Sequence, residues 1–400
     1  MRFNAGVASA GAKFLKITEK ELRNWRMLDT FEDAVTRVFS KAKLHRTLAD
    51  PDRPLTYGRY LKLFLFGLFN PVVETMRGLC EVSALPRVQQ EVCGIEVKPP
   101  RFSEMQHLID PTLLRFVFQD LVEESNSCFE PHPDLAHLNV IAQDGSLWSA
   151  LPRMVWAEYG VGRDGEANGV RLHLRFNIVK GLPEDATVQR GKSCERQALR
   201  QMSEPGQVNV GDRFYGEDYR LFRDVQKAGS FFVFRIRESA VINAEQEIPL
   251  TREDQAAGVV RHVWATLGAT EALRSIRLRV VEIRAKGQHL FLVTNLSMDK
   301  ASAALVGLIY RKRWDIELFF RWIKCILGCR HFFAESPEGA AIQLYLALIA
   351  SVLLLYYTGL RPNKRAMELI QMYLMGWATA EELVERLKKQ TQKHPSAKKS

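Results

Sequence analysis

From Ala340 to Leu360 the chain carries no charged residue. A run of that length can cross a bilayer, so it either spans a membrane or must be wrapped in enough protein to bury it on every side. Gln343, Ser351, Thr358 and the tyrosines Tyr345, Tyr356 and Tyr357 interrupt it, and a charged amphipathic helix precedes it closely. We therefore read a buried core helix and expect no membrane span. The rest of the chain can supply the wrapping, with 400 residues and 46% hydrophobic content. Such a length suggests two or three domains, or one elaborated domain.

The texture changes twice along the chain. Tyr57–Val82 and Ser103–Glu124 carry apolar residues at helical spacing, and Pro131 to Asp134 breaks the pattern. After this break, Leu138–Ala142 is a short apolar run leading into Gln143-Asp144-Gly145. In the next run Val170, Leu172, Leu174, Phe176 and Ile178 alternate with Arg171, His173, Arg175 and Asn177, which argues for a half-buried strand. Further strands are expected over Ala186–Gln189, Gln207–Val210, Ser230–Ile236, Arg261–Leu267, Ile276–Ile283 and His289–Thr294, with helices over Glu195–Met202 and Asp218–Lys227. Helical spacing returns over Ala301–Leu327, and Thr379–Ser400 reads as a charged helix with a Lys-rich end. The expected layout is an α/β chain: a mainly helical region over 1–135, an α/β domain over 136–360 with a β-rich insertion at about 237–300, and a helical basic C-terminal region over 361–400.

The formal net charge is +10, and residues 301–400 hold 15 Lys and Arg against 8 Asp and Glu, so +7 of it lies in the last quarter. An excess of that kind favours a polyanionic partner. Cys80, Cys93, Cys128, Cys194, Cys325 and Cys329 show no paired CxxC spacing, so idle thiols in a reducing cytosol are expected rather than a zinc site or disulfides. The first twenty residues hold no apolar core long enough for a signal peptide. A cytoplasmic protein is expected.

Three carboxylates stand out. Asp144 in IAQDGSLW and Asp212 in VNVGDRFYG each end an apolar strand beside a glycine. An Asp in that setting is often only a turn former. Glu317 lies in a segment where Tyr310, Arg313, Glu317 and Lys324 are spaced to share a helix face, with Arg321 joining them. Taken alone, that stripe can be a solvated face with ion pairs from Arg313 to Glu317 to Arg321. Together, two strand-end Asp and a Glu flanked by cations make three hard oxygen ligands beside phosphate-binding groups. They suit Mg²⁺ or Mn²⁺, and two ions can serve the two sides of an in-line displacement.

The spacing Tyr-x2-Arg-x3-Glu-x6-Lys, at Tyr310, Arg313, Glu317 and Lys324, resembles the signature of the IS4 family of bacterial insertion-sequence transposases, which includes the Tn5 enzyme. Asp144-Gly145, the Asp212-Arg-Phe-Tyr-Gly segment and the β-rich stretch from Phe231 to Thr294 match its context, and the resemblance covers roughly residues 138–357. It implies an RNase H-like catalytic domain, with the first Asp on the central first strand, the second after the fourth strand, the Glu on a late helix and a β-rich insertion between the last two. The implied catalytic and metal-binding residues are Asp144, Asp212 and Glu317, with Tyr310, Arg313, Arg321 and Lys324 on DNA phosphates. His173, on the polar side of its strand, is a weaker candidate beside Asp144.

The resemblance further implies double-stranded DNA as partner, both terminal inverted repeats and target, and a homodimer on two DNA ends. One residue departs from the pattern. Tn5-like members hold a flipped base with a Trp in the last insertion strand, where this chain has Leu290; Trp264, Phe291 and His289 are the candidate substitutes. Arg101 to Pro111 reads either as part of a helix-turn-helix-like reader of the inverted repeats or as a plain bundle. The competing functions are an RNase H-like endonuclease without strand transfer and a domesticated DNA-binding protein.

Overall fold

In the computed structural model, residues 26–42, 55–125, 131–151, 153–162, 165–271, 276–285, 287–329, 331–358 and 360–393 are described. The N-terminal twenty residues, Cys128 and the Lys-rich end from 394 lie outside them.

The N-terminal region is helical: α1 (Arg26–Lys41), α2 (Tyr57–Phe69), α3 (Pro99–Leu108) and α4 (Thr112–Ser125), with a shorter helix over Met76–Ser83. Thr56 caps α2, its hydroxyl accepting from the Arg59 N–H. Each of the two long helical stretches expected here is divided at a proline, after Asn70-Pro71 and around Asp110-Pro111, because proline cannot donate to a helix ladder.

Ten strands form one sheet: β1 (Asn139–Ser149), β2 (Glu158–Gly162), β3 (Gly165–Asn177), β4 (Leu182–Arg190), β5 (Gln207–Gly211), β6 (Phe231–Ile236), β7 (Ile242–Glu247), β8 (Val259–Leu267), β9 (Leu278–Ala285) and β10 (Gln288–Thr294). Their order is β2-β3-β1-β5-β6-β10-β9-β8-β7, with β4 also on β3. The central pairs β1–β5 and β5–β6 are parallel and the flanking pairs antiparallel. The crossovers that parallel pairing requires include α5 (Glu195–Met202) before β5 and α6 (Tyr219–Lys227) before β6. The strands expected as an insertion therefore extend the same sheet through β10, which is antiparallel to β6.

Beyond the sheet come α7 (Ala303–Lys312), α8 (Trp314–Cys325), α9 (Pro337–Thr358), α10 (Lys364–Leu374) and α11 (Ala380–Lys393). Helix α9 contains most of the uncharged run, and 94% of its most apolar stretch is buried. It packs against α4, α2, α3 and β4, and the Tyr345 hydroxyl donates to the Ala186 carbonyl at 3.2 Å. Gln343 donates to the His331 carbonyl and accepts from the Phe333 N–H, so the polar breaks in the run are satisfied inside the protein. Each fully buried Leu or Ile on this helix contributes about 2 kcal/mol of hydrophobic free energy. One core cluster runs from Leu28 on α1 through the sheet to Leu387 on α11.

Strand β3 differs from the half-buried reading. Its apolar side is buried, but His173, Arg175 and Asn177 on the other side are buried too. Each has a partner: Ser193, Glu204 and Glu184 respectively. Alternation marks a strand correctly, but it cannot tell solvent from a covering layer of polar side chains.

Candidate active site

The parallel ladder between β1 and β5 pairs Asn139 with Gln207 and ends with Ala142 opposite Val210. Asp144 and Asp212 are each two residues further along, past the end of that ladder, and near enough that the Asp212 charge acts on the Asp144 carboxyl. β1 does not stop at Asp144 as the apolar run implied; it continues to Ser149 because β3 keeps pairing with it, Asp144 opposite Leu174. β5 ends at Gly211, and Asp212 caps the short helix Arg213–Gly216, its Oδ1 accepting from the Phe214 N–H at 2.8 Å. Asp144 is thus a mid-strand residue whose ladder to β5 has lapsed, and Asp212 opens a turn.

The glycines beside the two aspartates are there for space. Neither has a left-handed backbone. A Cβ on Gly145 would lie 2.8 Å from Oε1 of Glu195, and one on Gly211 would lie 2.6 Å from the Tyr215 ring. Glu195 opens α5 and is ion-paired with Arg171; its Oε2 lies 3.5 Å from the Tyr215 hydroxyl. Spacing along the chain did not single out Glu195, since an acid in the first turn of a helix is expected for the helix dipole alone.

Burial, then the facing Glu195, and to a lesser degree Asp212, push the Asp144 carboxyl up to about 7, against the pull of the Gly145 N–H and Arg313. Burial also raises Glu195, opposed by Arg171 and reinforced by Asp212. The carboxylates at this spot outweigh the local cations, and a hard divalent cation would relieve that imbalance.

Glu317 comes from α8, which packs against β1. The expected continuous helix is divided at Arg313: the Arg313 N–H bonds to the Tyr310 carbonyl and the Ile316 N–H to the Arg313 carbonyl, tightening the ladder to i,i+3 spacing. The pairing across the junction is kept. Arg313 Nη2 lies 2.6 Å from Glu317 Oε1, and its guanidinium is 5.7 Å from the Tyr310 ring centre. Its Nε is buried without a hydrogen-bond partner.

The remaining candidates have different surroundings. Arg321 is exposed. Lys324 Nζ donates to the Leu147 carbonyl at 2.7 Å and sits 4.3 Å from the Trp148 ring, tying the end of α8 to β1. His173 is cross-strand from Gly145, but its Nε2 is hydrogen-bonded to Ser193 Oγ at 2.7 Å; burial and Arg171 push its pKa down to about 4, so the ring is neutral. As the side chains stand, no three His, Cys, Asp or Glu converge into a metal cage among the described residues. Asp144 and Asp212 suit a divalent cation by donor type, while the Glu317 carboxylate is held by Arg313.

The transposase DDE domain model matches residues 136–353, from just before β1 to within α9. The chain belongs to the transposase DDE domain family. This DDE chain is 33% identical over 204 residues to a probable transposase for insertion sequence element IS5377 of Geobacillus stearothermophilus, covering 50% of itself and 52% of that protein. It is 23% identical over 226 residues to a putative transposase for insertion sequence element IS4SA of Synechocystis, covering 54% and 60%. It thus spans about half the length of the curated relatives it matches. The resemblance read from Tyr310 to Lys324 agrees with these matches in kind. A solved piggyBac transposase synaptic complex with hairpin DNA matches at a TM-score of 0.39 and 12% identity, over 85% of this chain and 73% of that one, too distant to bear on the fold.

Proposed function

We propose that this chain is a DNA transposase that cuts at the terminal inverted repeats of an insertion sequence and joins the freed 3′-hydroxyl to target DNA. Its catalytic region, in this reading, is RNase H-like. The observation that carries the proposal is the placement of Asp144 on β1 and Asp212 just past the end of the neighbouring β5, with the Glu317 helix laid against the same β1.

Asp144, Asp212 and Glu317 would hold Mg²⁺ or Mn²⁺, as two ions. When bound, the metal supplies Lewis-acid activation of the attacking oxygen and stabilisation of the leaving one. The protein's own groups do the rest. Arg313, beside Glu317 on the same face, would grip a phosphate next to the scissile bond through its guanidinium. Tyr310 buttresses that guanidinium, Arg321 meets the backbone from the exposed side of α8, and Lys324 contributes charge from its anchored position on β1. His173, neutral and held by Ser193, supports the strand beside Asp144.

The N-terminal helices take part in binding the transposon ends. α4 packs on α1, α9 and β4, and Arg115 holds Asp185 through two hydrogen bonds of 2.7 and 2.6 Å, which favours the plain-bundle reading of Arg101 to Pro111 over a detached helix-turn-helix. Two chains on two ends form the acting unit. Among the candidates to hold a flipped base, His289 has both ring nitrogens bonded to carboxylates, Glu282 and Glu238.

The test uses the host DNA flanking the gene as substrate, with a target plasmid and Mg²⁺. A cut at the inverted-repeat boundary followed by joined product supports the proposal. Cutting without joining favours the endonuclease alternative, and binding without cutting the domesticated one.

A further inference from the structure

The carboxylate of Glu195 has no part in the three-residue signature, yet a space is kept for it at the same centre. It enters from α5, a different element from those that carry Asp144, Asp212 and Glu317, and α5 packs against β1. Its Oε1 lies over Gly145, so closely that a Cβ there would sit 2.8 Å away, and its Cγ and Cδ would be at 2.9 and 3.0 Å. Any side chain at position 145 would displace it. Its Oε2 is directed toward the fully buried Tyr215, which packs over Gly211 just before Asp212. The carboxylate therefore bridges the segments that present the two aspartates. Arg171 pairs with one of its oxygens, and the side chain remains 16% exposed.

We propose that Glu195 is a fourth metal-facing carboxylate of this centre, held over Gly145 so that it meets the cation from the α5 side. The inference rests on the metal-binding reading of Asp144 and Asp212. A purely structural alternative is that Glu195 only neutralises Arg171, and it makes a different prediction for metal affinity.

Mn²⁺ titration of the full chain, followed by calorimetry and by the electron-spin signal of the free ion, separates the two. Glu195→Gln keeps the size of the side chain and its hydrogen bond to Arg171 while removing the charge, and should weaken Mn²⁺ binding about ten-fold or more. Gly145→Ala should produce a similar loss in the native background and no further loss on top of Glu195→Gln, since both act by removing the same carboxylate. Melting in EDTA checks that each variant is folded, and should Glu195→Gln fail to fold, Gly145→Ala carries the test. Mn²⁺ affinity unchanged in the folded variants overturns the proposal. Asp144→Asn serves as the separate control: if it too binds Mn²⁺ as the native chain does, the metal-binding reading itself fails, whereas a loss confined to Asp144→Asn leaves that reading standing and removes only Glu195.

Discussion

At the scale of single residues, Asp144 concentrates the account. A carboxyl held up to about 7 by burial and by neighbouring Glu195 and Asp212 is a charge that the metal-free fold tolerates badly. Asp144→Asn should therefore stabilise EDTA-treated protein at pH 8 by on the order of 4 kcal/mol, raising its melting temperature, while removing the stabilisation that added Mn²⁺ gives the native chain. A variant that melts lower in EDTA would contradict the crowding. A second residue sets an acid limit. Burial and Arg279 push His262 down to about 4, and Arg279 Nε donates to its Nε2 at 3.1 Å, which requires the neutral ring. The unfolded chain takes up that proton near 6.5 and the folded chain only near 4, so stability falls as pH is lowered through that window, by on the order of 2 kcal/mol. Chemical denaturation across that range, with His262→Gln as the comparison, reads this directly; the variant should flatten the slope. Asp144 and Asp212 were legible in the sequence because each ends or interrupts an apolar strand beside a glycine. The reason for the glycines was not legible, since only the folded chain brings Glu195 and Tyr215 onto them.

At the scale of elements, the junction of α7 and α8 decides how the cationic stripe works. Its spacing is readable in the sequence; its break at Arg313 is not, because Arg313 keeps helical backbone angles and nothing in YRKRW forbids a continuous helix. Arg313 and Lys324 now separate into two kinds of group. Arg313 sits beside Glu317 and, in the proposed function, grips a phosphate, so Arg313→Ala should slow cleavage and lower the salt slope of binding to a cleaved-end duplex by about 0.9. Lys324 is fastened to Leu147 and Trp148, so Lys324→Ala should also cost about 1–2 kcal/mol of stability. Melting curves beside binding measured against salt check both. An unchanged salt slope for Arg313→Ala would leave that residue only its ion pair with Glu317.

At the scale of the molecule, one core joins what the sequence presents as separate regions. The helical start was recognisable from its spacing, but periodicity within a segment does not reveal which other segment covers it. Helix α9 takes α2, α3 and α4 on its surface, and Arg115 on α4 reaches Asp185 on β4. A chain beginning at residue 131 should therefore expose apolar surface of α9, aggregate or bind a hydrophobic dye, and lose cooperative melting, whereas an independent N-terminal domain would leave it folded. The sheet itself was read strand by strand with two exceptions. β2 and β7 carry too weak a signal: EYGVG is only five residues long with two glycines, INAEQE carries few apolar residues, and β7 is an edge strand with mostly exposed side chains.

The most direct measurement is strand cleavage at the element's own end, comparing the native chain with Asp144→Asn, Asp212→Asn and Glu317→Gln in Mg²⁺, and the native chain again in EDTA. Removing several kcal/mol of Lewis-acid stabilisation corresponds to a rate loss of about a thousand-fold or more. The account predicts that loss for each variant and for EDTA, with end-binding retained. Cleavage at the native rate in EDTA, or by any one of the three folded variants, would contradict it.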